Sequence, residues 1–310
     1  MLRRFRNVNP RRVLGVDIGA TKIEWVCLSS SKVESSGKES TDSKMQNSQL
    51  ANLISDLAEQ NNADCIGLSV AGFVDGNRIV KLPNIPNIKN LDLNLNVKTF
   101  VQNDLKCAAL AVWARRKKNP NDSFILVSCG SGIGGAIVYD GRLMCGENNT
   151  AGEFGHMKFT FEKPRSEPML VDWEYLSAGK GIEKQFHSFL KGQPNLNSKK
   201  YSNFDAKQIF ESDSSLSKRL CSQATFYFGV GLANIANAFN PKEIILTGPV
   251  SHAYLSKYKK QFSDAFKSAC ITTVQNTVIS KCEFENPCIM GSVLLTRMDS
   301  NPQFAEFFSK

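Results

Sequence analysis

The chain has 310 residues, 42% of them hydrophobic and 22% charged, with a formal net charge of +9. That length suggests about two domains with a sizeable core, and no run reaches the ~18–20 uninterrupted apolar residues of a membrane span. The positive residues are scattered rather than gathered into a stripe, which argues against a nucleic-acid partner. The opening segment MLRRFRNVNPRR lacks the apolar stretch and cleavage site of a secretory signal; it reads as a basic tail, with the start of an organelle-targeting peptide as the alternative. Residues 13–36 then read as strand, turn, strand and a third strand near Lys32–Ser36. Leu50, Leu53, Ile54 and Leu57 recur at helical spacing and predict a helix over 48–61. A buried strand follows at 65–70, and residues 71–93, rich in Gly, Pro and Asn, read as a loop carrying a minor strand. A strand at 99–102 leads into a helix over 104–116.

A second strand, glycine turn and strand occupies 123–139, similar to the first and a sign of two related halves. Residues 216–239 form a long helix with Leu220, Ala224, Phe228, Leu232, Ile235 and Phe239 on one face, ended by Asn240-Pro241. A strand at 243–246, a helix at 252–269, a strand at 273–280 and a closing helix at 289–298 complete the chain. Strands alternating with helices argue for the α/β class. The nine cysteines include no C-x-x-C pair, and their odd number at scattered positions reads as reduced, mostly buried thiols in a cytosolic protein.

The two glycine turns carry the first chemical signal. A dinucleotide fingerprint opens a helix, whereas Gly19 opens a strand, and the G-x-x-x-x-G-K-[ST] pattern of a P-loop is absent. A tight turn of small residues can instead aim backbone N–H groups at phosphate oxygens. Thr21 adds a hydroxyl and Lys22 a charge, while Asp17 beside the turn suits Mg²⁺ held through water. The turn Gly130-Ser131-Gly132 repeats the design without the acid. Two such turns facing each other across a cleft would hold a triphosphate. By itself Asn103-Asp104 before a helix reads first as a capping signal.

The ordered segments GVDIGATK, LSVAGFVDGNRIVKLPNIPN, VQNDLKCAALA, VSCGSGIGGAIVYDGRLMCGENNTAGEFGHM and NIANAFNPKEIILTGPVS resemble the ROK family of repressors and sugar kinases. The resemblance runs from about residue 13 to the end. It implies a two-domain actin-like ATPase (ribonuclease H-like) α/β fold with mixed sheets: a small domain over 1–105, joined by the C-terminal helix 289–310, and a large one over 106–288. It makes Asp104 the base that takes the proton of a sugar hydroxyl. It makes Gly72, Asn84, Asn103, Glu153, His156 and Glu174 sugar contacts, and Gly19, Thr21, Gly130, Ser131, Gly132 and Gly248 nucleotide contacts. The expected activity is transfer of the γ-phosphate of ATP, with Mg²⁺, to a hexose, the 6-hydroxyl of glucose or a relative. An N-acetylhexosamine kinase and an inactive sugar-binding regulator are the alternatives. The repressors of the family carry a further N-terminal helix-turn-helix, for which twelve residues before the first strand are too few. The resemblance also implies a homodimer, and the cysteines, as above, a cytoplasmic protein.

One segment departs from the family. Its usual members bind structural Zn²⁺ through the histidine at 156 and three cysteines that follow. Here the stretch HMKFTFEKPRSEPMLVDWE contains no cysteine, and one histidine cannot supply a four-ligand site. No zinc is expected, and Val171, Trp173, Tyr175 and Leu176 are expected to replace the metal with packing. The spacing from His156 to Glu174 is one residue shorter than the family pattern. Ser131 stands where threonine is usual, Ala136 and Pro249 replace glycines, and Pro249 removes a backbone N–H on the nucleotide side.

Overall fold

The computed structural model describes residues 12–30, 32–117, 119–161, 167–191 and 201–308. The arginine-rich stretch before Arg12 lies outside the described residues. The chain divides into two compact units: one takes the described residues up to Asp122, Ala136–Ala151 and those from Glu283 on, the other Ser123–Gly135 and Gly152–Cys282.

In the first unit β1 (Arg12–Ile18), β2 (Lys22–Ser29) and β3 (Lys32–Ser40) form an antiparallel meander. On its other edge β1 runs parallel to β4 (Cys65–Val70), which runs parallel to β8 (Lys98–Asn103), giving the order β3-β2-β1-β4-β8. All six residues of β4 are buried, as expected of a parallel strand covered on both faces. Helix α1 (Asn47–Gln60) buries Leu50, Ile54, Leu57 and Ala58. Helix α2 (Asp104–Arg115) is apolar nearly all round, with Cys107–Trp113 buried, and a helix with no polar face belongs inside a core. It packs against Pro287–Leu295, a closing helix that also lies on β1 and β4. The last helix, Pro302–Phe307, sets Phe304 and Phe307 against Trp113 at ring distances of 6.1 and 4.7 Å.

The stretch 71–93 holds more than a minor strand. It folds into a three-stranded antiparallel sheet of β5 (Phe73–Asp75), β6 (Arg78–Lys81) and β7 (Lys89–Asp92). Its buried Val74, Ile79 and Leu91 are separated by turn residues that hide the alternation in the sequence.

The second five-stranded sheet has the order β11-β10-β9-β14-β15, from β9 (Phe124–Cys129), β10 (Ile133–Tyr139), β11 (Arg142–Met144), β14 (Glu243–Thr247) and β15 (Val278–Lys281). Its order repeats that of the first sheet: a hairpin's two strands, a third beyond the hairpin, and two parallel strands on the other side. The expected strand over 273–280 is shorter. Only Val278–Lys281 finds a partner, in Glu243–Leu246, and Thr272–Val274 is a 3₁₀ turn.

Between β11 and β14 lie a two-stranded hairpin, β12 (Lys158–Phe161) and β13 (Met169–Asp172), and α3 (Trp173–Ser177), α4 (Gly179–Lys191), α5 (Ala206–Glu211) and α6 (Ser215–Phe239). The core of this unit is aromatic: Trp173 stacks on Phe228 at 5.6 Å, and Phe228 stacks on Tyr254 at 4.6 Å. Each such fully buried ring contributes about 1.5–3 kcal/mol. The expected single helix over 252–269 is two, α7 (Pro249–Lys257) and α8 (Lys259–Ala269). Proline at the first helical position lacks only a donor that would have gone unused, so α7 starts earlier than the apolar spacing suggests. The break falls at Tyr258, whose ring packs on Phe210 at 6.1 Å. The closing helices are completed by α9 (Pro287–Leu295) and α10 (Pro302–Phe307).

All the cysteines are free; Cys145 and Cys288 are partly exposed and the others buried. Burial pushes the Cys65 and Cys221 thiols up to about 11. Among the described residues no helix is long and apolar enough to cross a membrane.

Candidate functional site

In the first unit the acid that opens the chain sits at the mouth of the β1–β2 hairpin. Asp17 lies directly opposite Glu24 across that hairpin and opposite Ser69 on β4. Ser69 Oγ donates to Asp17 Oδ1 at 2.6 Å, while Asn286 Nδ2 donates to Glu24 Oε2 at 2.5 Å. Burial raises the Asp17 carboxyl to about 6, partly offset by the hydroxyl of Ser69 and reinforced by the Glu24 charge. Desolvation raises an acid in this way by penalising its charged form. The turn is closed by Gly19 N donating to Lys22 O at 3.0 Å, and Thr41 Oγ1 donates to Gly19 O at 2.9 Å. Thr21 is exposed. Lys22 does not stand over the turn as a lone charge; its Nζ lies 2.7 Å from Glu24 Oε1. Glu24 was missed in the sequence, although the hairpin register, with Ile18 opposite Ile23, places it beside Asp17.

A second group of expected residues gathers at the start of α2. Asn103 is the cap: its Oδ1 accepts from Leu105 N and Lys106 N, at 3.0 and 3.3 Å. Its Nδ2 donates to Gly72 O at 3.1 Å. Asp104 is thus the first helical residue rather than the cap, and its Oδ1 accepts from Leu105 N at 2.9 Å. Of the capping pair read from the local sequence, Asn103 is the cap and Asp104 is not. A helix N-terminus favours an ionised carboxylate. Asn84 lies in the turn between β6 and β7, which is anchored by the buried Leu82, Ile85 and Ile88.

In the second unit the turn Gly130–Gly132 is closed by Gly130 N donating to Gly132 O at 3.0 Å. The start of α4 lies against it: Gly179 N donates to Gly130 O at 2.8 Å and Lys180 N to Ser131 O at 3.1 Å. Gly248 has φ +91°, and a Cβ there would stand 2.5 Å from Cys129 O. Only glycine fits that end of β14, and α7 begins at the next residue. Two helix starts therefore converge on the glycine turn, and their dipoles favour negative charge there, although the Gly179 and Lys180 amides are themselves engaged by the turn's carbonyls. Gly179 and Lys180 were not among the expected contacts; the string Ala-Gly-Lys-Gly at a helix start is the signal that points to them.

Glu174 reaches the same turn. Its Oε2 accepts from Ile133 N at 3.4 Å, and a Cβ on Gly132 or Gly155 would stand 2.8 or 3.2 Å from that oxygen. Both neighbours thus leave room for the carboxylate. Glu153 is exposed and precedes the 3₁₀ turn Phe154–His156. His156, also exposed, has Nδ1 3.7 Å from Asp172 Oδ2. Asp172 also binds the Lys158 ammonium, its opposite number in the hairpin, which holds its carboxyl below the usual range with help from His156. His156, Asp172 and Glu174 bring one ligand atom each within 4.8 Å of one another. This trio was not foreseen, because Asp172 was overlooked. One imidazole and two carboxylates fall short of the four-ligand set of a structural zinc, and a lysine ammonium already lies on Asp172. Around the trio the packing is aromatic: Trp173 is fully buried with its Nε1 donating to Tyr227 O at 3.0 Å, and Phe161 meets Tyr175 at 6.3 Å.

Fold and site together define a mixed α/β protein with two five-stranded mixed sheets flanked by helices. The profile of the ROK family matches residues 13–297, and the chain belongs to that family. It is 25% identical over 287 residues to a glucokinase of Halalkalibacterium halodurans, covering 84% of this chain and 87% of that one. It is 28% identical over 197 residues to the xylose repressor of Bacillus subtilis, covering 61% of this chain and 49% of the repressor. The crystal structure of a ROK family glucokinase from Streptomyces griseus in complex with glucose and AMPPNP superposes with a TM-score of 0.71 at 21% identity, over 93% of this chain and 99% of that one.

Proposed function

We propose that the protein is an ATP-dependent hexose kinase, transferring the γ-phosphoryl group to the 6-hydroxyl of glucose or a close relative. The observation that carries this reading is the setting of Asp104, a carboxylate on the first turn of a helix whose cap, Asn103, also grips Gly72. In this reading the substrate hydroxyl gives its proton to Asp104 while its oxygen bonds to the γ-phosphorus and the bond to the ADP oxygen breaks. Transfer of this kind depends chiefly on positioning and charge neutralisation. Asn103, Gly72, Asn84, Glu153, His156 and Glu174 hold the sugar, since carboxylates, amides and an imidazole engage hydroxyls directionally. Backbone donors and Thr21 at the first turn, and Gly130, Ser131, Gly132 and Gly248 at the second, hold the phosphates, with Gly179 and Lys180 bracing the second turn.

Asp17 and Glu24 are hard oxygen donors that suit Mg²⁺, and a carboxylate raised to about 6 by burial is a charge that a cation would relieve. When bound, Mg²⁺ neutralises charge on the transferring phosphate. Lys22, paired with Glu24, tunes that carboxylate rather than meeting phosphate alone. Structural zinc has no part in this reading: Lys158 supplies the positive charge at Asp172. The mostly buried free thiols support a cytoplasmic setting, and a homodimer belongs to the same proposal.

A coupled assay over glucose, mannose, N-acetylglucosamine and N-acetylmannosamine tests it. Asp104→Asn is expected to lower kcat by ~10²–10⁴ while calorimetric sugar binding survives. Full activity in that variant removes Asp104 from the chemistry. Preference for an acetylated sugar makes the protein an N-acetylhexosamine kinase, and binding without transfer makes it a sugar-binding regulator.

A further inference from the structure

The third residue of α2 is a lysine with almost no solvent exposure: Lys106 is 2% exposed. Lysine is rarely buried unless its charge is engaged, and in the first turn of a helix it opposes the helix dipole. Lys106 Nζ donates to the backbone oxygen of Asn149 at 2.6 Å and to the Asn149 side-chain oxygen. Asn149 is held in the left-handed region, with φ +56°, a conformation asparagine tolerates better than most residues. Its Nδ2 donates to Val74 O at 2.8 Å and to Gln102 Oε1 at 3.3 Å. Gln102 Oε1 accepts in turn from Asn103 N at 2.8 Å, and Asn103 holds Gly72.

The bonds therefore join three separate segments, 72–74, 102–106 and 149, around Asp104. A buried ammonium is costly even when satisfied, and replacing such a group by an apolar one of similar volume is often neutral or stabilising. Fold stability alone does not account for it. Asn149 also stands four residues ahead of Glu153 in the chain, so the latch anchors the stretch that leads to the second set of acceptor residues.

We propose that Lys106 is a positioning residue that, through Asn149, fixes the segment Cys145–Ala151 against the start of α2 and so sets affinity for the phosphoryl acceptor, not for ATP. The effect on turnover rests on the kinase reading above; the latch itself does not. Lys106→Met keeps the apolar stem and removes the ammonium. Its sugar KM is expected to rise about tenfold or more, with the ATP KM within about twofold and Tm unchanged or higher. Asn149→Gly suits the left-handed backbone and removes the latch from the other side; it is expected to match Lys106→Met, with the double variant no worse than either alone. A sugar KM within twofold of the unaltered protein, an equal rise in the ATP KM, or additive losses would overturn the proposal. Hydrogen exchange separates its fate from that of the kinase reading. Amides of 145–151 are expected to exchange at least ~tenfold faster in both variants while those of α8 do not change. If the unaltered protein transfers no phosphate, the kinase reading fails and unchanged exchange at 145–151 would still sink the latch.

Discussion

Asp17 shows how one residue's environment ties stability to pH. Its folded value of about 6 lies above the ordinary 3.8 because burial disfavours the charge. The native state therefore binds this proton more tightly than the unfolded chain. The stability that the shift contributes is complete below the ordinary value and is lost as pH rises through about 6. The loss is at most on the order of 2–3 kcal/mol, and a bound cation would recover part of it. Asp17→Asn keeps an acceptor for Ser69 and removes the charge. In thermal melts without nucleotide, the variant is expected to exceed the unaltered protein in Tm at pH 8 and to match it at pH 4, and, on the kinase reading proposed above, to lose phosphoryl transfer. Equal melting at both pH values would contradict the account. Glu24, directly across the hairpin, is a residue the sequence could have disclosed: counting back from the turn puts it beside Asp17.

The hairpin β12–β13 shows the same logic in an element. In place of the family's cysteines it has Lys158 opposite Asp172 and Phe159 opposite Val171. Phe159 meets Tyr227 at 6.0 Å, Phe161 meets Tyr227 at 6.5 Å, and Trp173 closes the far end against Phe228. Aromatic contacts of this kind add about 0.5–1.5 kcal/mol each beyond their buried area. If packing and the lysine pair hold the hairpin, elemental analysis of purified protein finds no stoichiometric zinc, and a chelator leaves Tm unchanged. One zinc per chain, with a fall in Tm on chelation, would instead make His156, Asp172 and Glu174 ligands.

For the whole molecule, two five-stranded sheets share one strand order, and in each a glycine turn follows the first strand of the hairpin. Anything that binds the folded state stabilises it by mass action, about 2.7 kcal/mol at one hundred times Kd. Saturating substrate hexose is therefore expected to raise Tm by several degrees, and Mg²⁺ with a non-hydrolysable ATP analogue to do so independently. A melt indifferent to every hexose tried would count against an acceptor site of the proposed kind.

The sequence by itself determined the α/β class, the long helix ending at Asn240, the paired glycine turns and the family. These rest on local signals: apolar spacing, turn residues and ordered motifs whose meaning does not depend on distant partners. It also located Asn103-Asp104 at a helix start, though not which of the two is the cap, because both residues suit either position. Tertiary structure alone decided that Asp172 lies beside His156 and that Lys106 is buried on Asn149. These pairs are 16 and 43 residues apart in the chain, and no local pattern encodes a contact that chain folding creates. The three small strands in 73–92 and the break at Tyr258 were hidden for the same reason. Propensity is a weak prior, and a partner strand or a buried ring overrides it.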